Sequence, residues 1–183
     1  MAENLEELVD AFIASIPEQV EREEIKLAVK GDDKIVLPQE LLDENAKDSG
    51  APLYKIIADL SIPQKIKLAL FGNLTARNLL IRDTNRQIPF FVLQNARVTE
   101  NEIQEWARNT NLSDQILRQI ASNPEWMKSY NIKVSIVSNP KVPIDASLKW
   151  VKFLQTADLR RLAKSKNIPQ VIANQCRKML DDK

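Results

Sequence analysis

Thr99-Glu100-Asn101-Glu102-Ile103-Gln104-Glu105-Trp106-Ala107-Arg108-Asn109, then Leu112-Ser113-Asp114-Gln115-Ile116-Leu117-Arg118-Gln119-Ile120-Ala121-Ser122-Asn123, is the run of residues from which the architecture follows. Thr99 followed three residues later by Glu102 is a capping box, in which each side chain satisfies the other residue's backbone N–H at a helix start. Ile103, Trp106 and Ala107 then recur at helical spacing and define one apolar stripe. Asn109 and Asn123 close the two segments, and Ser113-Asp114 opens the second, with Ile116, Leu117 and Ile120 on its apolar face. Two short amphipathic helices joined by a tight turn follow from these residues.

The pattern repeats outward. Helix starts at Pro63, Pro89, Ser113, Pro143 and Pro169 are 26, 24, 30 and 26 residues apart. A second start lies inside most intervals, near Thr75, Thr99, Trp126 and Thr156, and the wide third interval holds an insertion around 123–132. The apolar stripes are Ile66, Ala69 and Leu70, then Ile144, Leu148 and Val151, then Ile172, Cys176, Met179 and Leu180. One such helix pair cannot bury its own apolar face, so stacked pairs share a continuous core. The fold expected is all-α: a right-handed α-solenoid of short helix pairs with a small, mostly helical N-terminal region.

Upstream, Leu5, Leu8, Val9, Phe12 and Ile13 place a helix over 4–15, and Val20, Ile25, Leu27, Ala28 and Val29 support a second. Gly31-Asp32-Asp33 reads as a turn, Lys34-Ile35-Val36-Leu37-Pro38 as the one short strand, and Leu41-Leu42 as a brief helix. Asn45 to Pro52 reads as a linker, giving an acidic N-terminal region over 1–52 and a basic repeat domain over 53–183. The charge division supports this: residues 1–60 hold 15 Asp/Glu against 6 Lys/Arg, and residues 61–183 hold 10 against 20. The whole chain nonetheless carries only +1.

Leu93-Gln94-Asn95-Ala96-Arg97-Val98-Thr99, Ala121-Ser122-Asn123-Pro124 and Val137-Ser138-Asn139-Pro140-Lys141-Val142-Pro143, each next to a Leu- or Ile-bearing helix, resemble the leucine-rich repeat variant, a relative of HEAT-like helical repeats. The resemblance covers about residues 62–180, and 54–80 is similar to bacterial proteins of this repeat type. It implies a binding scaffold. Some members carry a cysteine-ligated iron–sulfur cluster ahead of the repeats. This chain departs from them, because Cys176 is its one cysteine.

The residue inventory narrows the chemistry. With no histidine, sites built on His bases or His metal ligands cannot form. The three glycines, Gly31, Gly50 and Gly72, are too scattered for a phosphate-cradling loop. One cysteine forms no internal disulfide or cysteine cluster. A non-enzymatic protein without metal or cofactor is therefore expected. The N-terminus lacks a signal-peptide pattern, and no run approaches a membrane span, so a cytoplasmic location is expected.

The recurring Asn73, Asn95, Asn109, Asn123, Asn139 and Asn167 are expected to close helices, as Asn tolerates left-handed backbone. Candidate partner-binding residues are the bases Arg77, Arg82, Arg86, Arg160, Arg161, Lys164 and Lys166 and the aromatics Trp126 and Tyr130. The function expected is a scaffold that binds another protein, with an acidic segment as the fitting ligand. The alternative is nucleic acid held along a basic stripe. A merely solubilising surface is the simplest account of the same bases, since the pI is near 7.8.

Overall fold

The computed structural model describes residues 2–15, 19–44 and 53–181, with side chains from residue 5 in the first stretch and from residue 21 in the second. Every regular element among these residues is helical. The chain divides into two compact units, Met1–Val98 and Thr99–Lys183. The change in composition at 52/53 therefore falls inside the first unit, where the acidic N-terminal helices pack with the first basic ones.

The first unit holds α1 (Ala2–Ala14), α2 (Gln19–Lys30), α3 (Leu53–Ala58), α4 (Ile62–Phe71), α5 (Leu74–Leu80) and α6 (Ile88–Val92), with a 3-10 turn at Gln39–Leu41. α2 ends in a Schellman motif: Asp32 N–H donates to Leu27 O and Gly31 N–H to Ala28 O, both at 3.0 Å. Gly31 has φ +73°, and a Cβ there would also lie 3.2 Å from the Phe71 ring. Gly31→Ala is accordingly expected to cost about 1 kcal/mol, read from the urea midpoint; an unchanged midpoint would show that the turn relaxes freely.

The predicted strand at Lys34–Pro38 does not form. Its alternation is real, since Ile35 and Leu37 are buried and Val36 is exposed. Its carbonyls, however, bond to side chains of α4 rather than to another strand. Lys67 Nζ donates to Asp32 O at 2.7 Å and Ile35 O at 2.8 Å, and Gln64 Nε2 donates to Val36 O at 3.1 Å. α4 itself starts with the expected capping box at Ser61 and Gln64. α2 packs on α4, α4 on α6, and Phe12 of α1 meets Phe91 of α6 edge-on, with ring centroids 5.9 Å apart. Ile25, Ile66, Leu80, Ile88 and Phe91 form the fully buried interior, each side chain contributing about 1.5–3 kcal/mol.

The second unit holds α7 (Glu100–Arg108), α8 (Asp114–Ser122), α9 (Tyr130–Ser138), α10 (Ile144–Val151), α11 (Thr156–Ala163) and α12 (Gln170–Asp181), with a 3-10 turn at Trp126–Lys128 inside the expected insertion. The Thr99–Glu102 capping box is present. α7 packs on α8, α8 on α9, α9 on α10 and α11 on α12, and next-but-one helices also pack: α7 on α9, α8 on α10, α10 on α12. Ile103, Leu117, Ile120, Ile132, Ile136, Val151, Leu159 and Cys176 are each fully buried. Burial raises the Cys176 thiol pKa, in keeping with a packing role. Ile144 and Leu148 depart from the predicted stripe of α10. They are 42% and 36% exposed, and the inward positions are taken by Ala146, Ser147 and Val151.

The helix-closing asparagines act through a route other than left-handed backbone. No non-glycine residue among those described has positive φ. Asn109, Asn123 and Asn139 are extended, with ψ of 115°, 113° and 119°. Pro124 and Pro140 disfavour helical geometry at the asparagine before them. Each Oδ1 then accepts the N–H two residues on, from Asn111, Glu125 and Lys141. In three places an asparagine amide also reaches an earlier helix or 3-10 end: Asn73 Nδ2 donates to Glu40 O and Asp43 O, Asn95 Nδ2 to Ala69 O and Gly72 O, and Asn139 Nδ2 to Ala107 O and Asn109 O.

Candidate partner-binding surface

The bases and aromatics singled out from sequence divide between the two units. In the first, Arg77 is not at the surface. It is 2% exposed, and its guanidinium donates to Glu44 Oε1 at 2.8 Å and Gly72 O at 3.0 Å. Its role there is to tie α5 to the segment after the 3-10 turn. Arg82 and Arg86 are exposed on the connection between α5 and α6.

In the second unit Trp126 is half-buried in its 3-10 turn. Tyr130, at the start of α9, is also half-buried. Its hydroxyl donates to Asp158 Oδ2 and accepts from the Gln155 N–H at 3.0 Å. Burial, then the hydrogen bond to Asp158, raises the phenol pKa above its ordinary value. Arg161 pairs with the other oxygen of Asp158 at 2.9 Å. The structure thus joins Tyr130, Asp158 and Arg161 into one polar chain linking α9 to α11. That arrangement holds helices together and leaves Tyr130 little capacity for a ligand. Arg160, Lys164 and Lys166 stand exposed on α11 and just beyond it.

The residue that sequence reasoning missed is Phe153. It follows α10 directly and is 52% exposed. Trp150 packs beside it at a centroid distance of 5.5 Å, and the Trp150 indole N–H donates to Ala121 O at 2.9 Å. The Lys152 and Lys133 ammonium groups lie 5.2 Å and 5.9 Å from the Phe153 ring centroid. Cations are drawn to the ring face by its quadrupole. The signal was legible as Lys149-Trp150-Val151-Lys152-Phe153, bases interleaved with aromatics. The helical period instead places Trp150 beside the apolar stripe, next to Val151, and says nothing of Phe153.

Electrostatics favour an anion here. Residues 129–183 contain 11 Lys/Arg and 4 Asp/Glu. Two of those carboxylates are already engaged: Asp158 as described, and Asp145 in a two-pronged pair with Arg118 at 2.6 and 2.9 Å. That pair is exposed, and the Arg118 hydrogen bond holds the Asp145 carboxyl below its usual range. Exposed apolar groups accompany the charge, with Ile144 and Leu148 on α10 and Val171, 50% exposed, on the adjoining α12.

Among the described residues, no helix is long and apolar enough to cross a membrane, and no group of three or more Cys, Asp or Glu side chains is placed to hold a metal ion. No protein-family model, curated protein or solved structure matches the chain.

Proposed function

We propose that this protein is a non-enzymatic α-solenoid scaffold that binds an acidic, apolar-bearing segment of another protein on the α9–α12 face. The repeat reading is supported by the spacing of contacts. Most hydrogen bonds between segments distant in sequence link residues 23 to 35 apart, as in Asn95 to Gly72, Arg118 to Asp145 and Lys67 to Asp32. These bonds tie a helix to the next but one, as between α7 and α9, α8 and α10, and α9 and α11, the spacing that stacked helix pairs would give.

The observation that carries the binding reading is Phe153, an exposed ring flanked by two lysine ammonium groups within a strongly basic stretch. Interface anchors are typically aromatic side chains surrounded by polar groups that exclude water. The lysines would steer an acidic segment, and the ring would fix it.

The test is fluorescence anisotropy with a labelled peptide of alternating Glu and Leu/Phe, titrated with the full chain. Saturable binding is expected, weakened at least about tenfold by Phe153→Ser and several-fold on raising salt from about 30 to about 300 mM. Absence of binding, or full binding by Phe153→Ser, would overturn the reading. The interleaving of Lys133, Lys149 and Lys152 with Trp150 and Phe153 favours a second reading, single-stranded nucleic acid stacking on the ring. A labelled oligothymidylate that binds where the peptide does not would put that reading first.

A further inference from the structure

The first unit offers a groove between α1 and α2 with a volume of about 420 Å³, lined by Leu5, Val9 and Val29. Glu6 and Asp10 stand on its α1 side, and Lys26 and Lys30 on its α2 side. Its floor is apolar, and one edge carries two carboxylates. Phe153 with Lys133 and Lys152 complements the apolar floor and the α1 edge: an exposed ring bracketed by two cations. We propose that Phe153 of one copy enters the α1–α2 groove of a second copy, with Lys133 and Lys152 turned to Glu6 and Asp10. This rests on the reading of the Phe153 face as a protein-binding surface, and it names the partner as the same chain.

Three observations point to a second copy. The charges are complementary between the units: residues 1–98 hold 16 Asp/Glu against 12 Lys/Arg, and residues 99–183 hold 9 against 14. The whole chain carries only +1, so like copies do not repel. The ring and the groove are different patches, so each copy presents one of each. A contact between unlike patches is heterologous and propagates head to tail unless the rotation closes a ring. The association is therefore open-ended and concentration-dependent, and it weakens with salt because its charged rim is solvated.

The test is sedimentation velocity of the full chain across a concentration series at about 30 and about 300 mM NaCl. The mean sedimentation coefficient is expected to rise with concentration at low salt and to lose most of that rise at high salt. Phe153→Ser, and separately the pair Glu6→Lys/Asp10→Lys, should each abolish the rise. All three positions are exposed, and far-UV circular dichroism checks that each variant is folded. Mixed one to one, the two variants should recover a complex that stops at two chains, since each supplies the end the other lacks. A wild-type chain that stays monomeric at low salt, a Phe153→Ser chain that associates like the wild type, or a mixture that stays monomeric would overturn the proposal. The peptide titration separates the two ideas. A monomeric chain that still binds the acidic peptide through Phe153 keeps the scaffold reading and ends this one.

Discussion

Arg77→Ala is expected to lower the unfolding free energy by about 2–4 kcal/mol, chiefly through lost packing and lost hydrogen bonds of the buried guanidinium. The side chain is 2% exposed and spans two elements, bonding Glu44 after the 3-10 turn and Gly72 O at the end of α4. Truncation removes those bonds, opens a cavity of several methylenes, and leaves the Gly72 carbonyl short of a buried donor. Glu44 does more than pair. Its second oxygen accepts the Leu74 N–H at 3.1 Å, in the first turn of α5. Urea unfolding followed by circular dichroism measures the loss; a drop below about 1 kcal/mol would show the guanidinium to be dispensable.

The same pair has a pH signature. Burial pulls the Glu44 carboxyl upward, but bonds from Arg77 and the Leu74 amide and the charges of Arg77 and Arg97 outweigh it. The net result is a pKa below the usual 4.5. A carboxylate lowered on folding stabilises the protein above its unfolded value. That contribution is complete above pH 4.5 and disappears as the pH falls through the lowered folded value. Arg77→Ala should therefore flatten the acid limb of stability as well as lowering the neutral plateau. Glu44 keeps 38% of its side chain in solvent, so screening makes the pH effect smaller than the loss from truncation.

Asn139→Ala is expected to cost about 2–4 kcal/mol. Asn139 is 3% exposed, and three hydrogen bonds converge on its amide: Nδ2 to Ala107 O at 2.8 Å and to Asn109 O at 3.1 Å, and Lys141 N–H to Oδ1 at 2.9 Å. Alanine leaves two carbonyls at the end of α7 without this donor and removes the turn that stops α9. Asn139→Asp keeps the acceptor and the shape, but sets a charge against those carbonyls. It should be at least as damaging as alanine at neutral pH. A fully stable Asn139→Asp would show that the turn, rather than the link between α7 and α9, is what matters. The comparison can be read from thermal and urea unfolding of both variants.

The helical class and most helix boundaries were legible in the residue order, because they rest on short-range physics. The Ser61 and Thr99 boxes, the Asn-Pro stops at 123–124 and 139–140, and the spacing of Ile103, Trp106 and Ala107 act within one or two turns. Their effect does not depend on what the distant chain does. Whatever depends on a partner some 30 residues away was set by tertiary packing instead. Lys34–Leu37 has strand alternation, yet Lys67 and Gln64 take its carbonyls. Arg77 looks like any surface base until Glu44 is seen beside it. Ile144 and Leu148 keep helical spacing but face outward, because α10 turns Ala146, Ser147 and Val151 inward. Lys152 neighbours Phe153 in sequence, but the second cation over its ring, Lys133 of α9, is brought there only by the packing. Periodicity tells which residues share a face. Which face is covered, and by what, is set by the packing of the neighbouring helices.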